Sequence, residues 1–396
     1  MRLALITVHY PPIKSSCAVQ MKDLAHEFLN QGHNPVVITP DHELKESWAK
    51  ETHDSIDVYR LKCPIIIDIN NFRRAINETL MPFIMLYNLR KTPLNLSSFD
   101  GVIWYSPSIF FGPLVWYLKI KSSCKTYLIL RDIFPEWAID LDLMNKSPIY
   151  YFFKLVAKLQ YCIANTIGVQ SKSDLNYFNK QPEETKTEVL SNWISEGNVE
   201  KSSINLNLSK LKERKILIYV GNMGVAQGLQ FILDLVLSMK NKSEIGFVFV
   251  GRGSMVDSMN LFIKEHSLEN ILRYDQIPSA EIKSLLGQAN IGLVSLDSRH
   301  KANNIPGKFL SYLQAGIPTL AKINKDTDLE ETIEIKNVGK VYTGDSVKEF
   351  EEILEGMINS QDSLVLFSEN SKVLAVKEFS SFKAAKQIVL SLENAK

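Results

Sequence analysis

The sequence predicts an α/β protein in which two doubly wound parallel sheets follow one another along the chain. Short apolar runs alternate with amphipathic stretches throughout, a pattern typical of βαβ units. A polar segment rich in serine and asparagine separates two sets of these units. The 396 residues, 45% apolar and 22% charged, are sufficient for two or three globular domains.

The first set begins with the run LALITV, which starts at Leu3. This run is too short for a signal peptide and indicates a buried first strand. A helix is predicted from Val19 to Asn30, with Gly32 as its stop, because apolar residues recur at helical spacing: Met21, Leu24, Ala25, Phe28 and Leu29. Further strands are predicted at PVVIT, GVIWYS and TYLILRD. No run of about 18 apolar residues occurs, so no membrane-spanning helix is predicted.

The second set begins at KILIYVGNMG and continues through GFVFVGRG, ILRYDQIP and NIGLVSL to GIPTLA. The polar segment 196–214 is predicted to be a hinge, which gives a first domain of residues 1–195 and a second of residues 215–375. A helix over about 376–396 is a candidate to pack back on the first domain.

Charge and cysteine use disfavour several classes of protein. The 45 basic and 44 acidic side chains leave a net charge of +1, which argues against nucleic-acid binding. The seven histidines do not pair at metal-ligand spacing, so neither a metal site nor a cofactor is expected. No G-x-S-x-G or P-loop motif is present, which disfavours an esterase or an ATPase. The cysteines form no C-x-x-C pair and fit a reducing cytosol: Cys17, Cys63, Cys124 and Cys162.

Glycine-rich residues follow two strands of the second set, at the sheet edge where open parallel sheets bind ligands. The segment IYVGNMGVAQGL places Gly221 and Gly224 before a helix, which predicts a cradle for a diphosphate or a sugar nucleotide. An ordinary strand-to-helix turn is the alternative. In VFVGRGS, Gly251 and Gly253 flank Arg252, but the motif is not G-x-G-x-x-G. Nicotinamide binding is therefore not favoured, and a turn is again the alternative.

A third segment, SRHKANNIPGKFLSYLQAGIPTLA, is the most informative in the chain. Pro306 suits the first turn of a helix, so Gly307 and Lys308 lie where helix N–H groups are unpaired. A lysine there opposes the helix dipole unless an anion lies between them, which predicts phosphate binding. A solvated basic loop is the alternative, and it explains only the residues before the proline: Arg299, His300, Lys301, Asn303 and Asn304.

Polar residues also follow two strands of the first set. LRDIFPEW places Arg131, Asp132 and Glu136 after a buried strand, where their charges can hydrogen-bond sugar hydroxyls. A capping carboxylate with a surface salt bridge is the alternative. Ser106 and Ser108 follow the neighbouring strand and are either site residues or turn formers.

Three segments of the first domain are apolar and aromatic with basic residues near their ends: LMPFIMLYNLRK, FFGPLVWYLKIK and SPIYYFFKLVAKLQY. Segments of this kind can lie at an anionic bilayer surface. Core-facing helices are the alternative for each segment, but the three together predict weak peripheral membrane binding.

Several long motifs, in order along the chain, resemble those of the retaining family 4 glycosyltransferases, which have the GT-B fold. These motifs are YPP with LAHEFLNQGHNPVVIT, YVGNMGVAQGL, VFVGRG and NIPGKFLSYLQAGIPTLA. Three further stretches, YSPSIFFGPLVW, YLILRDIFPEWAID and SNW, are similar to the bacterial O-antigen transferases that move N-acetyl-L-fucosamine (L-FucNAc). The resemblance covers the whole chain and implies two Rossmann-like domains facing a central cleft.

The resemblance implies transfer of L-FucNAc from UDP-L-FucNAc to a polyprenyl-diphosphate-linked sugar, with retention and without a divalent metal. It also implies a cytoplasmic enzyme at the inner face of the cytoplasmic membrane. Lys308 and Asp132 are the expected catalytic residues. The expected donor-binding residues are Gly221, Asn222, Gly224, Gln227, Gly251, Arg252, Gly253, Asn304, Gly307, Lys308 and Tyr312. The expected acceptor-binding residues are Ser16, Ser106, Arg131, Asp132 and Glu136.

The chain also departs from the family pattern. Ribose binding is expected to pass to Tyr312 or to backbone groups, and Lys308, helped by Arg252, to carry more of the charge neutralisation. A UDP-sugar 2-epimerase of similar architecture and a non-catalytic scaffold are the alternative functions. Asn303 and Ser311 stand where many family members have a pair of glutamates. Asn222 and Gln227 replace an arginine and a lysine of the family, and Ser15 and Ser16 replace two glycines.

Overall fold

The computed structural model describes residues 1–13, 15–66, 69–140, 143–178, 186–194, 199–298 and 305–394. The chain divides into two compact units, of which the first comprises Met1–Ser195 with Ser381–Lys396 and the second Glu196–Ser380. In the described residues each unit contains one sheet, with eight strands in the first unit and six in the second. The predicted α/β class with two mainly parallel sheets is confirmed.

The strands of the first unit are β1 (Arg2–Ile6), β2 (Asn34–Asp41), β3 (Trp48–His53), β4 (Ile56–Lys62), β5 (Gly101–Tyr105), β6 (Lys125–Ile129), β7 (Thr166–Val169) and β8 (Lys186–Val189). They lie in the order β3-β4-β2-β1-β5-β6-β7-β8, in which, among the described residues, β3 and β4 pair antiparallel and the other neighbours are parallel. Ala4 of β1 lies in register between Val36 and Val102. Alternate side chains of β1 therefore enter two cores, Ala4 and Ile6 on one face and Leu3 and Leu5 on the other.

The helices of the first part of the chain are α1 (Ser16–Asn30), α2 (Asn71–Leu89), α3 (Gly112–Ser122), α4 (Glu136–Asp140), α5 (Pro148–Ile163) and α6 (Lys172–Phe178). The helix predicted to begin at Val19 begins three residues earlier, because the Ser15 hydroxyl accepts a hydrogen bond from the Ala18 amide at 3.1 Å. Its predicted apolar face is buried at Met21, Leu24, Ala25 and Phe28.

The strands of the second unit are β9 (Lys215–Val220), β10 (Ile245–Val250), β11 (Ile271–Tyr274), β12 (Ile291–Ser295), β13 (Thr319–Lys322) and β14 (Gly339–Tyr342). They lie in the order β11-β10-β9-β12-β13-β14 and all neighbours are parallel. The strand order reverses between β9 and β12. Sheets of this kind bind ligands at that switch point, beyond the carboxyl ends of the strands.

The remaining helices are α7 (Leu229–Ser238), α8 (Val256–Glu265), α9 (Ser279–Leu286), α10 (Gly307–Ala315), α11 (Asp328–Ile335), α12 (Val347–Asn359), α13 (Gln361–Glu378) and α14 (Ser381–Asn394). The chain leaves the second unit after α13, and α14 packs on α1 in the first unit. Ala385 and Ile388 of α14 are completely buried there. In the described ranges, no helix combines the length and the apolar character that crossing a membrane requires.

The described part of the predicted hinge, 199–214, is attached to the second unit. Its backbone amides bind side chains around α9: Ser202 donates to the Ser284 hydroxyl at 3.1 Å and Leu206 to the Gln288 amide oxygen at 2.9 Å. Leu206 is also buried. The segment therefore packs against the second unit along its described length, although its polar composition is typical of a linker.

Candidate functional site

The switch point of the second unit brings together the end of β9 and the start of α10. Gly221 follows β9 directly, and Lys308 is the second residue of α10. A Cβ atom on Gly221 would lie 3.7 Å from Cε of Lys308, so the lysine stem passes the glycine backbone. Gly221 has φ of 130°, a conformation that favours glycine. These two residues of the predicted donor site are therefore neighbours.

The charge of Lys308 is held by neutral groups. Its Nζ donates a hydrogen bond to Oε1 of Gln227 and lies 4.7 Å from the ring centroid of Tyr219. Burial lowers the pKa of Lys308 to about 8, and no charged residue of the described chain contributes to this shift. A half-buried cation without an anionic partner is costly in a folded protein. The second unit thus presents an unpaired positive charge in the described part of its switch point.

The start of α10 adds positive potential at the same place. Pro306 is the N-cap residue and supplies no side-chain hydrogen bond, so within the described ranges the N–H groups of Gly307 and Lys308 have no capping side chain. Gly307 is exposed, and a Cβ atom there would meet nothing within 4 Å. The helix dipole repels the ammonium of Lys308 unless an anion lies between them. An anionic ligand would stabilise both groups.

The turn after β9 holds Gln227 beside Lys308. The Tyr219 hydroxyl donates to the backbone oxygen of Asn222 at 2.6 Å and lies 3.2 Å from Oε1 of Gln227. Gly224 is the N-cap of a short 3-10 turn, Val225–Gln227, that has no side-chain cap. Tyr219 was not among the predicted site residues, because it lies inside an apolar strand and reads as a core residue.

The glycines of VFVGRGS are explained by contact between two turns. A Cβ atom on Gly251 would lie only 1.9 Å from the backbone oxygen of Gly221, and one on Gly253 would lie 2.5 Å from that of Met223. The Met223 amide also donates to the backbone oxygen of Arg252 at 2.8 Å. Gly251 and Gly253 therefore hold the Gly221 turn in place, which favours the turn interpretation of this motif.

A cavity of about 380 Å³ lies at the ends of β9, β10 and β11. Its volume is in the range of small-ligand sites. Predicted residues contribute to its wall, and the exposed Arg252 stands at its rim. Gln276, Ile277 and Ile282 line it as well and were not predicted, since the only signal was their position after β11. The full lining is Val220, Gly221, Asn222, Val250, Gly251, Arg252, Gln276, Ile277 and Ile282.

The predicted donor-binding role of Tyr312 is contradicted. Its side chain is 0% exposed. Its hydroxyl accepts from the Val220 amide at 3.2 Å and donates to the backbone oxygen of Leu293 at 2.9 Å. Tyr312 thus ties β9 to β12 from inside the core and has no free group for a ribose. The other predicted residues of this segment, Asn304 and the five before it (299–303), lie outside the described residues.

Arg131 is a core residue, contrary to its predicted contact with the acceptor. It is 5% exposed, and Nη1 donates to the backbone oxygen of Leu190 at 3.0 Å. Its guanidinium lies 4.6 Å from the ring centroid of Trp193 and 5.6 Å from that of Tyr105. These partners lie far from Arg131 in sequence, so the segment LRDIFPEW alone could not reveal its burial.

The predicted acceptor contact of Ser106 is also contradicted, and the contacts of Glu136 favour its structural alternative. Ser106 is 0% exposed and cannot reach a ligand. Glu136 is engaged by its neighbours, since Oε1 forms an ion pair with Lys154 at 3.1 Å and accepts a hydrogen bond from the Tyr177 hydroxyl at 3.1 Å. Glu136 therefore fits the alternative of a structural salt bridge.

Asp132 and Ser16 remain accessible at the carboxyl edge of the first sheet. Asp132 follows β6 and is half-buried, and burial raises the pKa of its carboxyl while the nearby Arg131 opposes that shift. Ser16 is exposed at the first residue of α1, beside Ser15, whose hydroxyl lies 3.1 Å from Nδ1 of His9. These two side chains can reach a ligand at this edge.

Two D-x-D tripeptides occur in the sequence, at 140–142 and 326–328. Residues 141 and 142 lie outside the described ranges. In the second tripeptide, Thr327 caps α11 and places Asp328 in the first helical turn, where a carboxylate complements the helix dipole. No group of three or more histidine, cysteine, aspartate or glutamate side chains that could hold a metal ion occurs in the part of the chain that is described.

Residues 203–373 match the family model for glycosyl transferases group 1. The second unit is similar to that family. The matched range contains the Gly221 turn, the 380 Å³ cavity and Lys308.

The probable glycosyltransferase WbjE of Pseudomonas aeruginosa is 26% identical over 232 residues. That match covers 56% of this chain and 57% of the relative, so it spans little more than half of each protein. HepE of Anabaena in complex with UDP has a TM-score of 0.68 at 13% identity, covering 99% of this chain and 100% of HepE. WaaG, a glycosyltransferase involved in lipopolysaccharide biosynthesis, has a TM-score of 0.65 at 14% identity, with coverages of 99% and 100%. The two solved structures confirm the predicted GT-B fold.

Proposed function

We propose that this protein is a retaining glycosyltransferase that uses a UDP-sugar, with L-FucNAc as the expected sugar. The acceptor is a polyprenyl-diphosphate-linked sugar in the assembly of O-antigen or capsule polysaccharide. One observation carries the proposal: Lys308 lies at an uncapped helix start, half-buried, with no described anionic partner. The diphosphate of a nucleotide sugar supplies the missing anion.

The similar proteins support the same choice of ligand and process. HepE has been solved with UDP, WaaG is described as acting in lipopolysaccharide biosynthesis, and WbjE is a probable glycosyltransferase. The choice of L-FucNAc rests on the resemblance of YSPSIFFGPLVW, YLILRDIFPEWAID and SNW to the transferases of that sugar.

Lys308 acts on the leaving group in the proposed reaction. Negative charge on the diphosphate grows as the bond between the sugar and the phosphate oxygen breaks. The ammonium of Lys308 and the N–H groups at the start of α10 are already in place to stabilise that charge, which is how preorganised dipoles lower a barrier. The acceptor oxygen attacks from the same face, and the leaving phosphate takes its proton. The resemblance to family 4 supplies this retaining mechanism.

The 380 Å³ cavity takes the nucleoside in this proposal. Ile277 and Ile282 offer apolar surface to the base, and Asn222 and Gln276 are exposed polar side chains that can bind base or ribose. Arg252 at the rim faces the phosphates. In the first unit, Asp132 and Ser16 hydrogen-bond the acceptor sugar.

Peripheral binding to the inner face of the cytoplasmic membrane completes the proposal. Several large apolar side chains of the first unit are exposed on α2, α3 and α5, where an anionic bilayer could cover them. Examples are Phe72, Phe83, Tyr87, Trp116 and Leu155, which are 75%, 54%, 64%, 55% and 57% exposed.

The experiment is an incubation of the protein with radiolabelled UDP- and dTDP-sugars, with and without lipid-linked acceptor, followed by mass spectrometry of the lipid. We expect a labelled glycolipid from UDP-L-FucNAc only when the acceptor is present. Interconversion of the free nucleotide sugar would instead indicate a 2-epimerase. Binding of UDP without either product would indicate a non-catalytic scaffold.

A further inference from the structure

The first unit contains a second cavity, which is far larger than the 380 Å³ cavity of the second unit and has a mostly apolar lining. A groove of about 1010 Å³ runs between α2, α3 and α5. Its lining is mostly apolar and begins at Ile109 and Phe110 before α3, passes Trp116 and Ile120, and ends at Ser123 and Cys124 after it. The groove therefore follows α3 along its whole length.

One end of the groove carries two cations. Lys119 lies in the last turn of α3 and Lys125 is the first residue of β6, and both line the groove. Nζ of Lys119 donates to the backbone oxygen of Ile163 at 2.8 Å, which leaves two of its three donors available. Burial and the charge of Lys125 both lower the pKa of Lys119. Two neighbouring cations without a described carboxylate partner form an anion-binding end.

The surrounding surface has the same sign of charge. In the sequence of α2, α3 and α5 the one acidic residue is Glu78, whose carboxylate pairs with Arg74 at 2.8 Å. Lys154 of α5 is also neutralised, by the ion pair with Glu136 of α4 at 3.1 Å. An anionic lipid surface is the partner that this charge pattern complements. Besides Arg74 and Lys154, the basic residues on these helices and immediately after them are Arg73, Arg90, Lys91, Lys119, Lys121, Lys125 and Lys158.

The length of the groove fits one hydrocarbon chain of a bilayer leaflet. The 11 residues of α3 rise by about 16 Å along the helix axis. The hydrocarbon core of a bilayer is about 30 Å thick, so each leaflet contributes about 15 Å. A chain with an anionic head at the lysine end thus matches both the length and the polarity of the groove.

The position of the cations distinguishes a membrane lipid from the sugar acceptor. Lys125 begins β6 and Asn165 precedes β7, so the cationic end lies at the amino edge of the sheet. Asp132 follows the carboxyl end of β6, at the opposite edge. We propose that the groove binds one acyl chain of an anionic membrane phospholipid, with the phosphate between Lys119 and Lys125. This lipid anchors the first unit and is not a reactant.

Cys162 provides a direct probe of the groove. It lines the groove and is exposed, whereas Cys17, Cys63 and Cys124 are buried. Its rate of reaction with a water-soluble maleimide is measured with short-chain phosphatidylglycerol or short-chain phosphatidylcholine, both kept monomeric so that no bilayer covers the surface. At a concentration that saturates the groove with phosphatidylglycerol, we expect this lipid to slow the reaction at least about tenfold. Phosphatidylcholine at the same concentration should protect far less, since each lysine contributes about fivefold to the affinity for an anionic lipid. Cys162→Ser identifies the labelled thiol.

Two variants separate the anionic head from the chain. The double variant Lys119→Ala, Lys125→Ala should raise the phosphatidylglycerol concentration needed for half-maximal protection about 30-fold. The double variant Lys240→Ala, Lys348→Ala makes an equal charge change in the second unit and should leave that concentration unaltered. Val156 lines the groove, and Val156→Trp narrows it. In this variant the labelling rate with lipid should equal the rate of the same variant without lipid.

Equal protection by both lipids, or no protection by either, would overturn the proposal. Protection that survives both the lysine and the Val156 changes would overturn it as well. The measurement uses no nucleotide sugar and no turnover, so its failure leaves the proposed glycosyl transfer standing and is distinguishable from the failure of that function.

Discussion

Nζ of Lys308 lies 4.7 Å from the ring centroid of Tyr219, on the side of the turn that carries Gln227. An aromatic face and an amide oxygen stabilise a cation only weakly compared with a carboxylate. These two neutral partners therefore hold a positive charge in position at the switch point and leave it able to bind an anion.

The affinity for UDP is expected to fall as the pH rises through about 8. The pKa of Lys308 is lowered to about 8 by burial, and a bound diphosphate favours the charged form and raises that pKa again. Above about pH 8, binding must take up a proton, so the dissociation constant rises by at most about tenfold per pH unit. Calorimetric titration at about pH 7 and about pH 9 measures this. A wild-type affinity that is constant across this range would contradict the role of Lys308.

Replacing Lys308 with methionine should stabilise the ligand-free protein near neutral pH. The pKa of Lys308 is lower in the folded protein than in the unfolded chain, where it has the ordinary lysine value of 10.5. The unfolded chain therefore binds more protons between about pH 8 and pH 10.5. Below about pH 8 the folded protein bears the full cost of the buried charge. Allowing for partial exposure, we expect a gain of about 1 kcal/mol, or a Tm higher by about 2–4 °C. Lys348→Met, at an exposed site, should leave Tm unchanged. A lower Tm for Lys308→Met would show that the lysine has a stabilising partner.

Gly251→Ala should disrupt the Gly221 turn that forms part of the 380 Å³ cavity, and Gly307→Ala should leave that turn intact. Alanine at Gly251 meets the Gly221 carbonyl and must adopt φ of 151°, whereas a Cβ atom on Gly307 meets nothing within 4 Å. Strain of this kind costs several kcal/mol, so we expect Gly251→Ala to lower Tm by about 5 °C or more and to abolish UDP binding. Thermal unfolding with and without UDP compares the two variants. Equal Tm values would show that the two turns are not in contact.

The sequence predicted elements whose signal is local. The apolar face of α1 and the position of glycine turns after strands follow from spacing within one segment. The expectation that Gly221 and Lys308 share a site came from the resemblance to family 4. The burial of Arg131 and Tyr312 depends on distant partners, Trp193 for the former and β9 for the latter. A polar residue after a strand or in a helix has the same local signature whether it faces a ligand or the core. Tyr219 and Gln276 escaped prediction for the same reason.

Transfer should not require a divalent metal. In the proposed reaction Lys308 and the N–H groups at the start of α10 neutralise the diphosphate, which is the task that a metal ion would otherwise perform. We expect EDTA to leave the initial rate unchanged. Loss of transfer in EDTA, with recovery on addition of magnesium or manganese, would contradict this prediction.

Lys308 is proposed to stabilise the leaving diphosphate, and the kinetics of Lys308→Ala measure that contribution. Because charge on the diphosphate grows as the glycosidic bond breaks, the lysine should contribute more to the transition state than to donor binding. We expect kcat to fall about 100-fold or more, with a smaller change in the KM for the donor, as when one preorganised donor is removed from an oxyanion site. Lys308→Arg should recover little, since a planar guanidinium does not replace a compact ammonium at a helix start.

Lys348→Ala is the matched control, because it removes an exposed lysine of the same unit, on α12, that does not line the donor-site cavity. Circular dichroism establishes that each variant is folded before kcat and KM are measured. We expect a folded Lys308→Ala enzyme with about 1% of wild-type kcat or less, beside a Lys348→Ala enzyme of normal activity. A folded Lys308→Ala enzyme that keeps more than about a third of wild-type kcat would contradict the placement of the diphosphate at Lys308.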